Sequence, residues 1–264
     1  MTAIYLHGVG VLGRGLPDWS CAKRILAGHA VYDGEPLPNP HPDALPPNER
    51  RRGAMTVRWA VAAAQQALLA SGIAANGVAT VFTSSSGDGE TLHHMCETLA
   101  SPGREVSPTR FHNAVHNAPA GYWSIAAQSH APSVTLCGHD ASFAAGLLEA
   151  AAQLNVEAQP VLLVAYDLPY PEPLHAVRTV AQPFAVALLL LREPRPGTIA
   201  CWRIAVMPGA ARTRFPDTLP PEIATNPAAH ALSLLAPVAR SAGENVAISY
   251  VNGCHLRVET QPWS

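Results

Sequence analysis

The fold is decided by the stretch Ser107-Pro-Thr-Arg-Phe-His-Asn-Ala-Val-His-Asn-Ala-Pro-Ala-Gly121 together with the next two segments of the chain. The first of these is Ala131-Pro-Ser-Val-Thr-Leu136, which is apolar and β-branched enough to predict a short strand from Ser133 to Leu136. The second, Ala141 to Leu154, is rich in alanine and leucine and predicts a helix. The chain therefore runs from a polar stretch through a short strand and a turn into a helix.

The remaining sequence alternates helices with apolar strands. Met55 to Ser71 contains no glycine or proline and is closed by Gly72, which is the pattern of a helix with a glycine cap. Val161 to Ala165 and Phe184 to Leu191 are continuous apolar runs, typical of strands covered on both faces of a sheet. This alternation predicts an α/β layered fold.

Composition excludes several classes of protein. The chain has 264 residues, of which 48% are apolar, and a net charge of −2 with no basic block, so a nucleic-acid partner is not expected. The five cysteines form no CxxC pair, which argues against disulfides and zinc and favours a reducing cytoplasm. The longest apolar run, Phe184 to Leu191, is too short for membrane insertion.

Two polar clusters are candidates for ligand sites. His93-His94 and the pair His112 and His116 carry imidazoles, but the sequence offers no third ligand, so we expect no metal and no cofactor. Ser84 to Ser86 precede a glycine, yet the spacing of a phosphate-binding loop is absent, and we interpret them as a turn at a strand end.

These motifs together resemble the N-terminal half of β-ketoacyl synthases. The family pattern S-P-x-x-x-x-x-x-x-x-N-x-x-A-G fits Ser107 to Gly121, its G-P-S-hydrophobic strand is similar to Ala131 to Leu136, and its strand with a glycine turn is similar to Val81 to Asp88. The resemblance covers residues 1–193. It implies a thiolase-like α/β layered fold, truncated relative to a full ketosynthase, in a single domain of residues 1–264 with a divergent C-terminal part, 194–264. The same resemblance treats His112 and His116 as loop residues.

The resemblance also locates the nucleophile position. In ketosynthases a cysteine lies eight residues after the proline of the G-P-S strand, and counting from Pro132 places Asp140 there. A carboxylate cannot form the thioester of acyl transfer. Asp140 is open to two interpretations: it caps the following helix, or it gates a tunnel. Cys137 would be the nucleophile only if three residues were deleted, and the alternative is a small buried strand cysteine.

The catalytic histidine motifs of ketosynthases, H-G-T-x-T and N-S-x-F-G, are also missing after Ala141. The resemblance therefore implies a non-catalytic chain length factor of the aryl polyene (xanthomonadin) type. Such a subunit forms a heterodimer with an active full-length ketosynthase and limits the tunnel for a growing polyketide or polyene chain on acyl carrier protein. Two alternatives stay open: a synthase-like enzyme using Cys137 or Asp140, and a stand-alone homodimer that binds acyl carrier protein.

The family's dimer contact implies interface residues for this chain. In ketosynthase dimers the strand before the nucleophile turn pairs with its counterpart, and the S-P loop approaches the partner's acyl pocket. The corresponding acyl tunnel and interface residues here are Arg110, Phe111, Val115, Ser133, Val134, Thr135 and Leu136. The alternative for Phe111 is that it fills the protein's own core.

Overall fold

A computed structural model describes residues 3–157, 159–251 and 253–263. The strands in this part of the chain are β1 (Ala3–Gly13), β2 (Ala79–Thr83), β3 (Ser133–Leu136), β4 (Val161–Asp167), β5 (Phe184–Leu191), β6 (Ala200–Pro208), β7 (Glu244–Ser249) and β8 (Cys254–Pro262). Its helices are α1 (Trp19–Leu26), α2 (Pro47–Arg52), α3 (Met55–Ser71), α4 (Gly89–Ala100), α5 (Pro108–Asn113), α6 (Ala118–Ala127), α7 (Ser142–Val156), α8 (Leu174–Val177) and α9 (Ala231–Ala239).

The strands form one eight-stranded mixed sheet in the order β3-β2-β4-β5-β1-β6-β8-β7. β3, β2 and β4 run parallel to one another, whereas every pair from β4–β5 to β8–β7 is antiparallel. The carboxyl ends of β3, β2 and β4 consequently lie side by side. β3 and β7 are the two edge strands.

Helices cover both faces of the sheet, so the predicted α/β layered fold is confirmed. One face packs against α1, α7 and α9, with Phe143 and Leu147 of α7 completely buried. The opposite face packs against α3 and α6, with Trp59 and Trp123 buried there. Every residue of β4 and β5 is buried, as the continuous apolar runs predicted.

Two glycines bring β1 and α3 into backbone contact. A Cβ atom at Gly8 or Gly10 would collide with the carbonyl oxygens of Ala67 and Ala63 on α3. Only glycine permits so close an approach. α3 spans the predicted residues and ends at Gly72, whose φ of 68° is the left-handed conformation of a C-cap.

The stretch around His112, which the resemblance treats as a loop, contains a helix, so that prediction is wrong for residues 108–113. α5 begins at Pro108, whose fixed φ suits the first turn of a helix. The N–H that proline lacks would have no hydrogen-bond partner within the helix at this position, so its absence costs nothing. His112 lies in this helix and His116 lies beyond it. None of the helices in the described part of the chain combines the length and the hydropathy of a bilayer-spanning segment.

Candidate functional site

Polar side chains converge where β3, β2 and β4 end. Cys137 and Asp140 follow β3, Ser84 to Ser86 follow β2, and Asp167 is the last residue of β4. Because the carboxyl ends of neighbouring parallel strands share one edge, these residues meet at a position where α/β sheets commonly bind ligands. We call the connected set Ser84, Ser85, Ser86, Asp140, Asp167, Tyr170 and Arg178 the strand-end cluster.

Asp167 is the buried anchor of this cluster. Its Oδ1 atom accepts hydrogen bonds from the Ser84 hydroxyl at 3.0 Å and from the Ser85 amide and hydroxyl, both at 2.8 Å. Its Oδ2 atom has no hydrogen-bond partner among the described residues. Burial raises the pKa of Asp167 to about 6, although the serine hydrogen bonds oppose that shift.

Tyr170 connects the buried serines to a cation. Its hydroxyl lies 2.8 Å from the Ser85 hydroxyl and accepts hydrogen bonds from the Ser86 hydroxyl at 2.9 Å and from Arg178 Nε at 3.2 Å. The Arg178 guanidinium carbon is also 5.8 Å from the centre of the tyrosine ring, within cation–π range. Arg178 is thus held in place from one side by Tyr170.

The other side of Arg178 faces Asp140. Its Nη2 atom donates to Asp140 Oδ1 at 2.8 Å, and its Nη1 atom contacts the ring of His139. The Arg178 side chain is 20% exposed and that of Asp140 is 69% exposed. Burial by itself lowers the pKa of Arg178, but the hydrogen bond to Tyr170 and the charge of Asp140 raise it overall. Asp140, the residue that the sequence resemblance aligns with the ketosynthase nucleophile, therefore forms one half of an ion pair.

The interpretation of Asp140 as a helix cap is wrong. α7 begins at Ser142, its cap position is Ala141, and no side chain in the described part of the chain accepts a hydrogen bond from its first turn. Asp140 lies instead in a short 3-10 turn that follows His139, whose φ is 52°. This turn leaves the carboxylate in contact with Arg178. A gating role for Asp140 stays a prediction.

Cys137 is not the buried strand cysteine that we considered. It is exposed, lies directly after β3, and its thiol donates to the carbonyl oxygen of Ser85 at 3.0 Å. The thiol therefore touches the strand-end cluster. Cys137 lies outside the first turn of α7, the place where a helix favours an anion.

The predicted interface residues are accessible. Phe111 is 64% exposed, so the alternative that it fills the core is wrong, and Val115 is 49% exposed. Arg110 and Ser133 are exposed, while the rest of β3 is half-buried. His116, next to Val115 in the chain, lies 3.3 Å from the carbonyl oxygen of Ser84, so this stretch reaches the strand-end cluster. Whether these residues contact a partner stays a prediction.

Sequence reasoning missed Asp167, Tyr170 and Arg178. One signal was present for Asp167, because an acidic residue directly follows a continuous apolar strand. Arg178 lies in a proline-rich segment, 168–183, without a recognisable pattern. Its role depends on a contact with Asp140, which is distant in sequence.

Comparison with known proteins decides the family. The sequence profile of the β-ketoacyl synthase N-terminal domain matches residues 27–248. The chain belongs to this family. Its α/β sheet with helices on both faces is the thiolase-like ketosynthase fold. The profile match extends beyond residue 193, where the resemblance in the sequence ended. No curated protein is similar enough in sequence to count as a relative.

Solved structures with this fold include ketosynthase complexes. One is a ketosynthase (ApeO) with its chain length factor (ApeC) from Xenorhabdus doucetiae, with 23% identity, a TM-score of 0.74, and 98% of this chain and 100% of that chain covered. The ishigamide ketosynthase/chain length factor has 11% identity, a TM-score of 0.75, and 99% and 100% covered. A β-ketoacyl synthase from Burkholderia phymatum STM815 has 15% identity, a TM-score of 0.63, and 81% and 66% covered.

Proposed function

We propose that this chain is a non-catalytic chain length factor. It pairs with an active ketosynthase and helps to form and limit the tunnel for a growing polyketide or polyene chain carried on acyl carrier protein. The observation that carries this proposal is the ion pair between Asp140 and Arg178 at the nucleophile position. A carboxylate cannot form the acyl thioester, and this one is already engaged by a cation.

The structural comparisons support the same proposal. The chain covers 100% of the matched chain in both ketosynthase–chain length factor structures, but 66% of the Burkholderia β-ketoacyl synthase. The length of this chain therefore agrees better with that of a chain in the paired complexes than with that of the Burkholderia synthase. We extend the proposal to the aryl polyene type of pathway, to a single-domain organisation and to a cytoplasmic location.

The edge strand β3 has the geometry needed for pairing with a partner. Thr80 N donates to Pro132 O at 2.9 Å and Ser84 N donates to Leu136 O at 3.3 Å, so the even-numbered residues of this strand direct their backbone polar groups towards β2. Ser133 and Thr135 alternate with them and direct theirs outwards. No strand of the described ranges lies on that side of β3. Such an edge is a template for a strand of another protein.

α5 and the residue after its cap supply an apolar contact surface. Phe111 and Val115 are large apolar side chains that are exposed in the isolated chain. Arg110 beside them is exposed as well. Aromatic and arginine side chains dominate the binding energy of many interfaces. This surface fits a role as a wall of the partner's acyl pocket.

Co-expression with the ketosynthase encoded nearest to this chain tests the proposal. We expect the two proteins to co-elute as a heterodimer in size-exclusion chromatography. Thr135→Pro removes an outward N–H without removing a hydrogen bond to β2, so it should abolish co-elution and leave the isolated chain folded. Thr135→Val, which keeps the N–H, is the matched control.

The outcomes separate the parts of the proposal. If the wild-type chain elutes without a ketosynthase, as a monomer or homodimer, the chain length factor assignment is wrong. If Thr135→Pro still co-elutes with the ketosynthase, the assignment stands but β3 is not the contact.

A further inference from the structure

A cavity of about 470 Å³ lies at the edge of the sheet farthest from the strand-end cluster. It is bounded by α9, by the start of β7 and by the segment 212–217. Its volume is in the range of small-molecule sites. β7 and β3 are opposite edges of the eight-stranded sheet, and a strand spacing of ~4.8 Å puts them on the order of 34 Å apart. We call this space the β7 cavity.

The β7 cavity has more guanidinium groups than carboxylates. Arg212, Arg214 and Arg240 line it together with two acidic residues. Arg240 pairs with Glu244 at 2.9 Å, and Arg214 lies 3.6 Å from Asp217 with both side chains almost fully exposed. Arg212 has no ion pair within the described ranges. This surplus of positive charge contrasts with the net charge of −2 for the whole chain.

Ser233 lines the same cavity, and its hydroxyl is buried without a hydrogen-bond partner among the described residues. The residue is 5% exposed, and its Oγ atom has no hydrogen-bond partner among residues 3–157, 159–251 and 253–263. A serine inside a helix usually donates to a carbonyl one turn earlier, and Ser233 does not. Pro237, one turn later in α9, has no N–H to offer the Ser233 carbonyl. The hydroxyl of Ser233 is therefore unpaired in the described part of the chain, and its carbonyl lacks the N–H donor that a residue other than proline at position 237 would provide.

Apolar side chains complete the lining. Phe215, Pro216 and Pro237 border the cavity beside the arginines and Ser233. Sites for small organic molecules combine apolar walls with a few polar groups that fix orientation. Arginine matches the planar geometry of carboxylates and phosphates, to which it donates paired hydrogen bonds.

We infer that the β7 cavity binds a small organic anion. Carboxylate or phosphate oxygens of this ligand accept hydrogen bonds from the Arg212 guanidinium and from the Ser233 hydroxyl, once the serine side chain has turned towards the cavity. The apolar part of the ligand packs against Phe215 and Pro237. This site lies outside the strand-end cluster and outside the contact proposed for the ketosynthase. It therefore does not depend on the proposed function.

Isothermal titration calorimetry of the purified chain tests the inference. The probes are benzoate, phenyl phosphate and inorganic phosphate, with benzylamine as a cation of similar size to benzoate. We expect benzoate or phenyl phosphate to bind, inorganic phosphate to bind more weakly because it lacks the apolar part, and benzylamine not to bind. The stronger of the two aromatic anions identifies the acid that the cavity prefers.

Three variants assign the binding to these residues. Arg212→Gln should weaken it about tenfold, as expected for the loss of a charge-assisted hydrogen bond. Ser233→Ala should weaken it roughly fivefold through the loss of a neutral donor. The same variant should leave Tm unchanged or raised, because it removes a buried unpaired hydroxyl. Arg195→Gln, which changes an exposed arginine that does not line this cavity, should bind like wild type.

Two results would overturn the inference. One is the absence of binding by all three anions at millimolar concentration. The other is equal affinity of the wild type, Arg212→Gln and Ser233→Ala for the best anion, which would place the binding elsewhere. If Arg212→Gln does not fold, the comparison of Ser233→Ala with wild type decides the matter alone.

Discussion

At the residue scale, a continuous chain of polar contacts leads from the core to Asp140, which the sequence resemblance aligns with the ketosynthase nucleophile. Asp167 is buried, Tyr170 and Arg178 are intermediate steps, and Asp140 ends the chain at the surface. An aspartate at this position was evident in the sequence, but its partner was not, because Arg178 comes from a distant irregular segment. A helix cap was the natural interpretation when only the local sequence was considered. Asp140 instead makes a tertiary contact with Arg178, and it does not form a local hydrogen bond at the start of α7.

The strength of that ion pair is the first prediction. Since Asp140 is mostly exposed, Asp140→Asn should lower the free energy of unfolding by no more than about 1 kcal/mol. Arg178→Gln also loses its charged hydrogen bond to Tyr170 and should lower it by about 1–3 kcal/mol. Urea denaturation of both variants and the double variant should give a coupling of about 0.5 kcal/mol. A loss above about 3 kcal/mol for Asp140→Asn would contradict an exposed pair.

The buried carboxyl gives a pH-dependent prediction. The pKa of Asp167 is raised from 3.8 to about 6 in the folded chain, so the folded state binds this proton more tightly than the unfolded state. Its contribution to stability is complete below pH 3.8 and is lost as the pH rises through 6. Asp167→Asn cannot ionise. The variant should therefore gain about 3 kcal/mol relative to wild type between pH 3.5 and pH 7.

Urea denaturation of both proteins across that pH range checks this prediction. Only the difference between the two proteins is informative, because the other carboxyl groups titrate in both. A difference that stays constant across the range would show that Asp167 has the same pKa in the folded and unfolded chain.

At the scale of elements, the sequence predicted those helices and strands whose bounds depend on interactions between residues close together in the chain. α3 has the predicted bounds because helix-forming residues fill it and Gly72 ends it, and β5 has the predicted bounds because its apolar run is continuous. α5 was missed because it is one short helix in a polar stretch, and the resemblance treats His112, which lies in it, as a loop residue. The position of β3 at an edge of the sheet could not be predicted locally, because sheet order depends on pairings between distant segments.

α5 carries the third prediction. Phe111→Ala should leave the Tm of the isolated chain nearly unchanged, because the side chain is 64% exposed and its removal opens no cavity. It should weaken the complex with the ketosynthase or change the length of the product. Phe143→Ala is the matched control, because this completely buried phenylalanine should lower the free energy of unfolding by about 3–5 kcal/mol. Equal destabilisation by the two changes would show that the Phe111 side chain packs in the core, which would contradict this prediction.

At the scale of the whole molecule, the sheet separates two regions for which we propose different roles. The parallel strands β3, β2 and β4 carry the strand-end cluster and the edge proposed for a partner. The antiparallel strands β6, β8 and β7 extend the sheet in the other direction and border the β7 cavity. Residues 194–264 looked divergent in sequence, yet β6 pairs directly with β1 and continues the same sheet. Backbone pairing tolerates sequence change, so the architecture persists where the motifs do not.

Acyl transfer within the purified complex tests most directly whether this chain is a silent subunit. The complex with its ketosynthase is incubated with acyl carrier protein bearing a reactive acyl group and analysed by intact-protein mass spectrometry. Because Asp140 cannot form a thioester, we predict an added acyl mass on the ketosynthase and an unchanged mass for this chain. An acyl adduct on this chain that disappears in Cys137→Ala would contradict the account and make the chain an enzyme that uses Cys137.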